Sequence, residues 1–256
     1  FQISQEDLRP YFPHTNVLPG LFEVASKLFD ITFSRVDEAL ETWHDDVMIY
    51  AICDAAGQPL GFFFLDLFAR SGKRSGAWMD QCLDRWRQPT MTQLPVAYLN
   101  CNFTPPQSRA PSLLTHAEVT TLFHEFGHGL QHLLTQVDQP AVAGINGVAW
   151  DAVELPSQIM ENWCWEREAL DLIGAHHLDG HAIPQDIYRK MRAAQRFQAA
   201  MQTLRQVELA PFDFRLHVVY TPGLDIQSLL DAVRSQVAVV VPPSWTSLSA
   251  GTRGIF

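Results

Sequence analysis

The spacing of apolar residues changes character part-way along the chain. Before position 110 short apolar runs alternate with turn residues, and from position 115 onward the three-and-four repeat of helices takes over. Leu21, Phe22, Val24, Ala25, Leu28 and Phe29 keep helical spacing, which predicts a helix over 20–30 behind an irregular entry bracketed by Pro10, Pro13 and Pro19. Two apolar runs, 47–53 and 60–68, are joined by the turn-forming Ala56-Gly57-Gln58-Pro59 and predict an antiparallel hairpin. A polar loop at 70–76 follows, and 95–103 alternates well enough to be a third strand. The 60–68 strand reads equally as a sheet edge open to an extended peptide or as a core strand.

Further on, Thr115-His116-Ala117-Glu118 has the form of a capping box, in which two side chains satisfy two amides left open at a helix start. Val119, Leu122, Phe123, Phe126, Leu130, Leu133 and Val137 then mark one buried stripe and predict a helix over 116–136. A Gly-containing loop at 140–149 leads to a helix at 151–173, in which Pro156 is tolerable near the first turn. Further helices are expected over 184–209, running past Pro211 with a kink or break, and over 224–240. The pattern as a whole predicts a mainly α fold with a small antiparallel β-sheet.

Composition narrows the function classes. Apolar residues make up 47% of 256 and charged ones 18%, enough burial for a globular chain. Acidic residues outnumber basic ones 28 to 18, and no basic cluster tracks a phosphate backbone, which argues against nucleic acid as a partner. The longest apolar runs, 61–65 and 237–241, fall far short of the roughly 20 residues that span a bilayer, so no membrane helix is expected. Cys53, Cys82, Cys101 and Cys164 form no CxxC pair, which speaks against a zinc ribbon and favours free thiols in a reducing, cytoplasmic setting.

The candidate chemistry lies in His124-Glu125-Phe126-Gly127-His128, an HExxH motif on the capped helix. Residues four apart stack on one helix face, so both imidazoles can meet one ion, while Glu125 projects about 100° round toward a water activated there. Catalytic zinc takes three protein donors and keeps one place open. A third histidine at the metzincin spacing is absent, because Leu134 stands there, and Gln131 replaces the glycine of that pattern. A carboxylate from the next helix is the remaining route. Glu154 is the best candidate, and Glu161, two turns on, could be a ligand or an outer partner of one. Asp151 could cap that helix or orient an imidazole. His132 reads as a structural or surface histidine and not a ligand, His176, His177 and His181 as solvated in a polar loop, and Trp163 and Trp165 as packing. Gly127 and Gly129 each cost helix stability of about 1 kcal/mol relative to alanine, which suggests close approach by another element.

These residues carry a family resemblance. His124-Glu125-Phe126-Gly127-His128-Gly129, Asp151-Ala152-Val153-Glu154-Leu155-Pro156-Ser157-Gln158 and Glu161-Asn162-Trp163 resemble the thimet oligopeptidase family of zinc metallopeptidases, in its bacterial oligopeptidase A branch. The likeness extends from Arg9-Pro10-Tyr11-Phe12-Pro13 through Leu65-Asp66-Leu67 to Phe212-Asp213-Phe214-Arg215-Leu216. It implies a zincin-type catalytic region with one zinc ion held by His124, His128 and Glu154. It also implies Glu125 as general base, and short peptides as substrates that enter a deep channel in a mostly helical molecule. A full-length relative is expected to be a monomer.

The chain is accordingly expected to be one partial catalytic domain, 1–256. Residues 1–110 would supply a helix and the sheet, 111–245 the helical zinc-binding region, and 246–256 a divergent tail. The family's N-terminal lobe has no counterpart here, and after Trp245 the expected His- and Tyr-containing segment is replaced by Thr246 to Phe256, which suggests truncation or a shifted reading frame. Losing each oxyanion donor there would cost on the order of 100-fold in rate, so a zinc- or peptide-binding fragment without turnover is the alternative expectation.

Overall fold

A computed structural model describes residues 3–36, 40–107 and 111–240; the divergent tail at 246–256 lies outside the described residues. The described residues fall into two compact units, divided between Lys190 and Met191. In the first, a short helix α1 (Gln5–Leu8), capped by Ser4, runs through a 3₁₀ turn (Arg9–Tyr11) into α2 (His14–Phe29). This helix starts before the predicted 20–30 and carries Pro19 inside it. Proline removes one backbone donor, but Val17, Leu18, Leu21, Val24 and Ala25 are all buried, and that burial outweighs the lost bond.

The sheet has strands β1 (Ile31–Arg35), β2 (Met48–Asp54), β3 (Pro59–Phe68), β4 (Trp78–Leu83) and β7 (Val96–Phe103), in the order β1-β2-β3-β7-β4. β5 (Trp86–Arg87) and β6 (Thr92–Gln93) pair separately. The β2/β3 hairpin forms as expected; Gly57 takes φ 78° in its turn, and the Asp54 side chain accepts from the Ala56 and Gln58 amides. The antiparallel expectation needs correcting, because β3 and β7 run parallel, from Phe62 opposite Val96 to Asp66 opposite Asn100. The chain makes β4 between them, and β7 then enters between β3 and β4. β3 is therefore an interior strand, with Phe63, Leu65 and Leu67 buried, and its reading as a sheet edge is overturned. β1 has three polar residues in five and β4 two in six, with Ile31 the only buried residue of either, and neither gave a strand signal, as befits strands at the two margins of a sheet.

α3 (His116–Leu133) lies across the sheet, with Phe126 in a ring cluster with Phe22, Phe33 and Phe63. The predicted 151–173 helix is two helices, α4 (Leu155–Trp163) and α5 (Arg167–Ile173). Pro156 fits only in a first turn, which sets the late start, and buried His116 takes the Cys164 carbonyl in a 2.8 Å hydrogen bond, which removes that carbonyl from helical use. The predicted 184–209 helix likewise divides into α6 (Gln185–Gln195) and α7 (Ala199–Val219), where Gln198 adopts φ 55°; Pro211 lies within α7. In the second unit, α7 and α8 (Ile226–Val237) pack around Phe212, Leu230 and Val233. The architecture is mixed α/β rather than mainly α. Among the described residues no helix is long and apolar enough to cross a membrane, and the four cysteines are free.

Candidate metal centre

α3 begins with the capping box that its sequence signalled: Thr115 accepts from the Glu118 amide, and Glu118 accepts from the Thr115 amide. Fixing this helix fixes His124 and His128 one turn apart, with ring centroids 4.9 Å from each other and planes at 83°. Both Nε2 atoms face one oxygen of Glu154, at 3.2 Å from His124 and 3.1 Å from His128. Glu154 is the N-cap residue of α4, where the Ser157 hydroxyl donates to its carboxylate at 2.8 Å and steadies it.

Gly127 explains how α4 comes so near. A Cβ built there would lie 2.5 Å from the Pro156 carbonyl oxygen and 2.6 Å from Ser157 Cα, so the start of α4 rests on bare α3 backbone between the two histidines. At Gly129 the nearest atom is the flexible end of Leu99, at 3.1 Å.

The surrounding groups set the charge states. Glu161 meets His124 Nδ1 at 2.7 Å, which assigns the proton to Nδ1 and leaves the Nε2 lone pair directed at Glu154. Burial lowers the pKa of His128, partly offset by Glu154, and keeps that ring neutral. Glu125 is buried, and burial pushes its carboxyl above the ordinary range, offset in part by His124 and by a hydrogen bond from the Met79 backbone. A cleft of about 400 Å³ lined by Ala77, Thr120, His124, Glu125 and Glu161 opens beside it.

These residues fit a zinc ion. Tetrahedral bonds of about 2.0–2.2 Å place neighbouring donor atoms roughly 3.3 Å apart, and the 3.1 and 3.2 Å separations are close to that spacing. The donor set of two imidazoles and a carboxylate, with one imidazole backed by a second carboxylate, is a borderline-soft transition-metal set.

Of the sequence candidates, His124, His128, Glu154, Glu161 and Glu125 come together. Asp151 lies exposed in the turns before α4 and does not cap it, since Pro156 places the cap at Glu154. Sequence reasoning missed Met79 and Ser157; β4 gave no periodic signal, and a serine three residues into a helix start is ordinary. His132 is structural: fully buried, it meets the Leu83 carbonyl at 2.9 Å, so Glu125 and His132 tie β4 to α3 at two points. The 140–149 loop packs on α3, with Gly144 at φ 61° directly over the His132 ring. Trp165 packs edge-on against His116, at 4.3 Å between ring centroids.

The chain is 49% identical over 248 residues to oligopeptidase A of Salmonella typhimurium, a match covering 96% of this chain and 36% of that protein. Against oligopeptidase A of Haemophilus influenzae it is 50% identical over 248 residues, again 96% of this chain and 36% of that one. An organellar oligopeptidase A of Arabidopsis thaliana is 45% identical over 251 residues, 95% of this chain and 32% of that protein. The chain thus spans about a third of the length of the curated relatives it matches. The model of peptidase family M3 matches residues 1–253, and this chain belongs to that family.

Proposed function

We propose that this chain is part of the catalytic domain of a zinc metallopeptidase of the zincin type that hydrolyses short peptides, with His124, His128 and Glu154 as metal ligands. The observation that carries this reading is the convergence of two imidazoles and one carboxylate at metal-donor spacing beside a buried glutamate. A zinc ion held there supplies Lewis acidity toward a carbonyl oxygen and toward water.

The chain's own residues do the rest. Glu125, with its pKa raised by burial, accepts a proton from the attacking water and returns it to the leaving amine; a raised value suits a group that must do both near neutral pH. Glu161 holds the His124 ring in the tautomer that leaves Nε2 free. β4 is the outermost strand on the cleft side, and its Met79 backbone touches Glu125. An extended peptide adding to that edge would carry its scissile bond past the carboxylate, held by main-chain hydrogen bonds whatever its side chains. The names of the oligopeptidase relatives support a short-peptide substrate, and such a substrate suits a soluble, cytoplasmic enzyme.

The test pairs zinc content with cleavage of a quenched-fluorescence oligopeptide. Glu125→Gln should bind zinc at the wild-type stoichiometry and lose cleavage by at least about 100-fold. Cleavage that persists in Glu125→Gln would refute the assignment of the base, and absence of stoichiometric zinc from the wild-type chain would refute the metal centre.

A further inference from the structure

Between α5 and α6 the chain forms a tight loop, and three side chains that the α3 centre does not use meet there. His176 Nδ1 lies 3.4 Å from Asp179 Oδ1, and His181 Nδ1 lies 2.5 Å from the same oxygen. The two imidazole rings stack at 4.8 Å, 17° from parallel, and all three donor atoms fall within 4.8 Å of one another. We infer that His176, Asp179 and His181 form a second divalent-cation site, which takes zinc and clamps this loop.

The loop is built before any ion arrives. The His176 amide donates to the His181 carbonyl at 2.9 Å and the Gly180 amide to the His176 carbonyl at 2.8 Å, with Gly180 at φ 74° allowing the reversal. The Ala175 and His177 amides bond to the Tyr11 and Pro10 carbonyls, which fixes the loop to the N-terminal segment. The Tyr11 ring stands edge-on to both histidines at 5.3 and 5.4 Å, and its hydroxyl lies 3.3 Å from His181 Nε2. Thus the outer nitrogen of His181 has the oriented partner that metal-ligating imidazoles have.

Donor chemistry and distances select the ion. Two neutral imidazoles and a carboxylate suit zinc, whereas calcium and magnesium require mainly oxygen. His176 Nδ1 accepts a long 3.5 Å contact from the Leu178 amide, which leaves it unprotonated with a lone pair that zinc would take over. The 3.4 Å gap to Asp179 already matches the roughly 3.3 Å between donors on a tetrahedral zinc. The 2.5 Å contact of His181 with Asp179 is a hydrogen bond, and zinc would take the place of its proton, which passes by tautomer exchange to Nε2 and points at the Tyr11 hydroxyl, while the two side chains part by about 0.8 Å. Both are well exposed, at 47% and 62%, and free to make that movement.

The experiment uses zinc alone as the probe and counts bound metal after equilibrium dialysis. The wild-type chain should hold two equivalents, His128→Ala one, His181→Ala one, and the two substitutions together none. Asp179→Asn, which keeps the shape of the loop, should weaken the second equivalent by at least about tenfold, because it removes the only charged donor. Excess zinc should raise the Tm of His128→Ala and leave that of the doubly substituted chain unmoved. One equivalent in the wild-type chain, or a second equivalent that survives both His181→Ala and Asp179→Asn, would overturn the inference. Either result leaves the α3 centre standing, because His128→Ala tests that site separately.

Discussion

Gly127→Ala probes the closest contact in the candidate centre. The added methyl would sit 2.6 Å from Ser157 Cα, where about 3.5 Å is the ordinary carbon separation, so the start of α4 must retreat by about 1 Å. Overpacking of this kind costs roughly 1–3 kcal/mol, and alanine returns about 1 kcal/mol of helix propensity. The metal-free chain should therefore lose at most about 2 kcal/mol, read by urea unfolding. Zinc affinity should suffer more clearly. Glu154 caps α4 and moves with it, while metal bonds tolerate only about 0.2 Å, so the carboxylate leaves its place between the two imidazoles. Competition against a chelating dye should show affinity lower by about 10–100-fold. Gly129→Ala is the control, since only the movable end of Leu99 opposes it and zinc affinity should hold. If Gly127→Ala bound zinc within about threefold of wild type, the argument that backbone contact sets the position of Glu154 would fail.

Three further outcomes follow from other parts of the structure. Glu161→Gln keeps a hydrogen-bonding group beside His124 Nδ1 but removes its charge, and should lower zinc affinity by about tenfold with unchanged circular dichroism; unchanged affinity would count against its positioning role. Asp66 is buried, which alone would raise its pKa, yet hydrogen bonds from Arg70, Lys73 and Trp43 bring it from 3.8 to about 2. Its folded-state pKa is depressed, so it contributes about 2 kcal/mol that is present above pH 4 and lost as pH falls toward 2; Asp66→Asn should be less stable at pH 7 by at least that amount, with the gap closing in acid. Thr115→Ala removes the α3 cap and should cost about 1 kcal/mol in thermal or urea unfolding; a change below a few tenths would deny the cap its role.

The metal candidates were legible because their geometry is local. Two histidines four apart need only a helix to meet, and Thr115 and Glu118 announced that helix. Glu154 was reachable as a carboxylate on the next element, although its place depends on Gly127, whose departure from helix propensity did signal a close neighbour. The sheet was less legible. The β2/β3 hairpin is joined by a short turn and could be read, whereas the parallel β3/β7 pair joins residues some thirty positions apart and leaves no periodic trace. Helix breaks were missed for a similar reason. The stop after α4 depends on His116 taking the Cys164 carbonyl, a contact made across 48 positions. The loop histidines looked solvated because hydropathy reports polarity, and nothing in it reveals that His176 and His181 curl round one aspartate.

The insertion of β7 between β3 and β4 also orders assembly in time. As the chain grows from its N-terminus, β4 emerges before the strand that is its partner in the sheet, and it must wait unpaired until residue 103 is made and β7 has docked on β3. The rim beside Glu125 is then the last part of the sheet to close, through contacts made at a distance, which is the slow kind. Amide exchange in the native protein should show the same hierarchy, with β4 opening ahead of β3 and the cleft wall giving way while the core behind it stays shut.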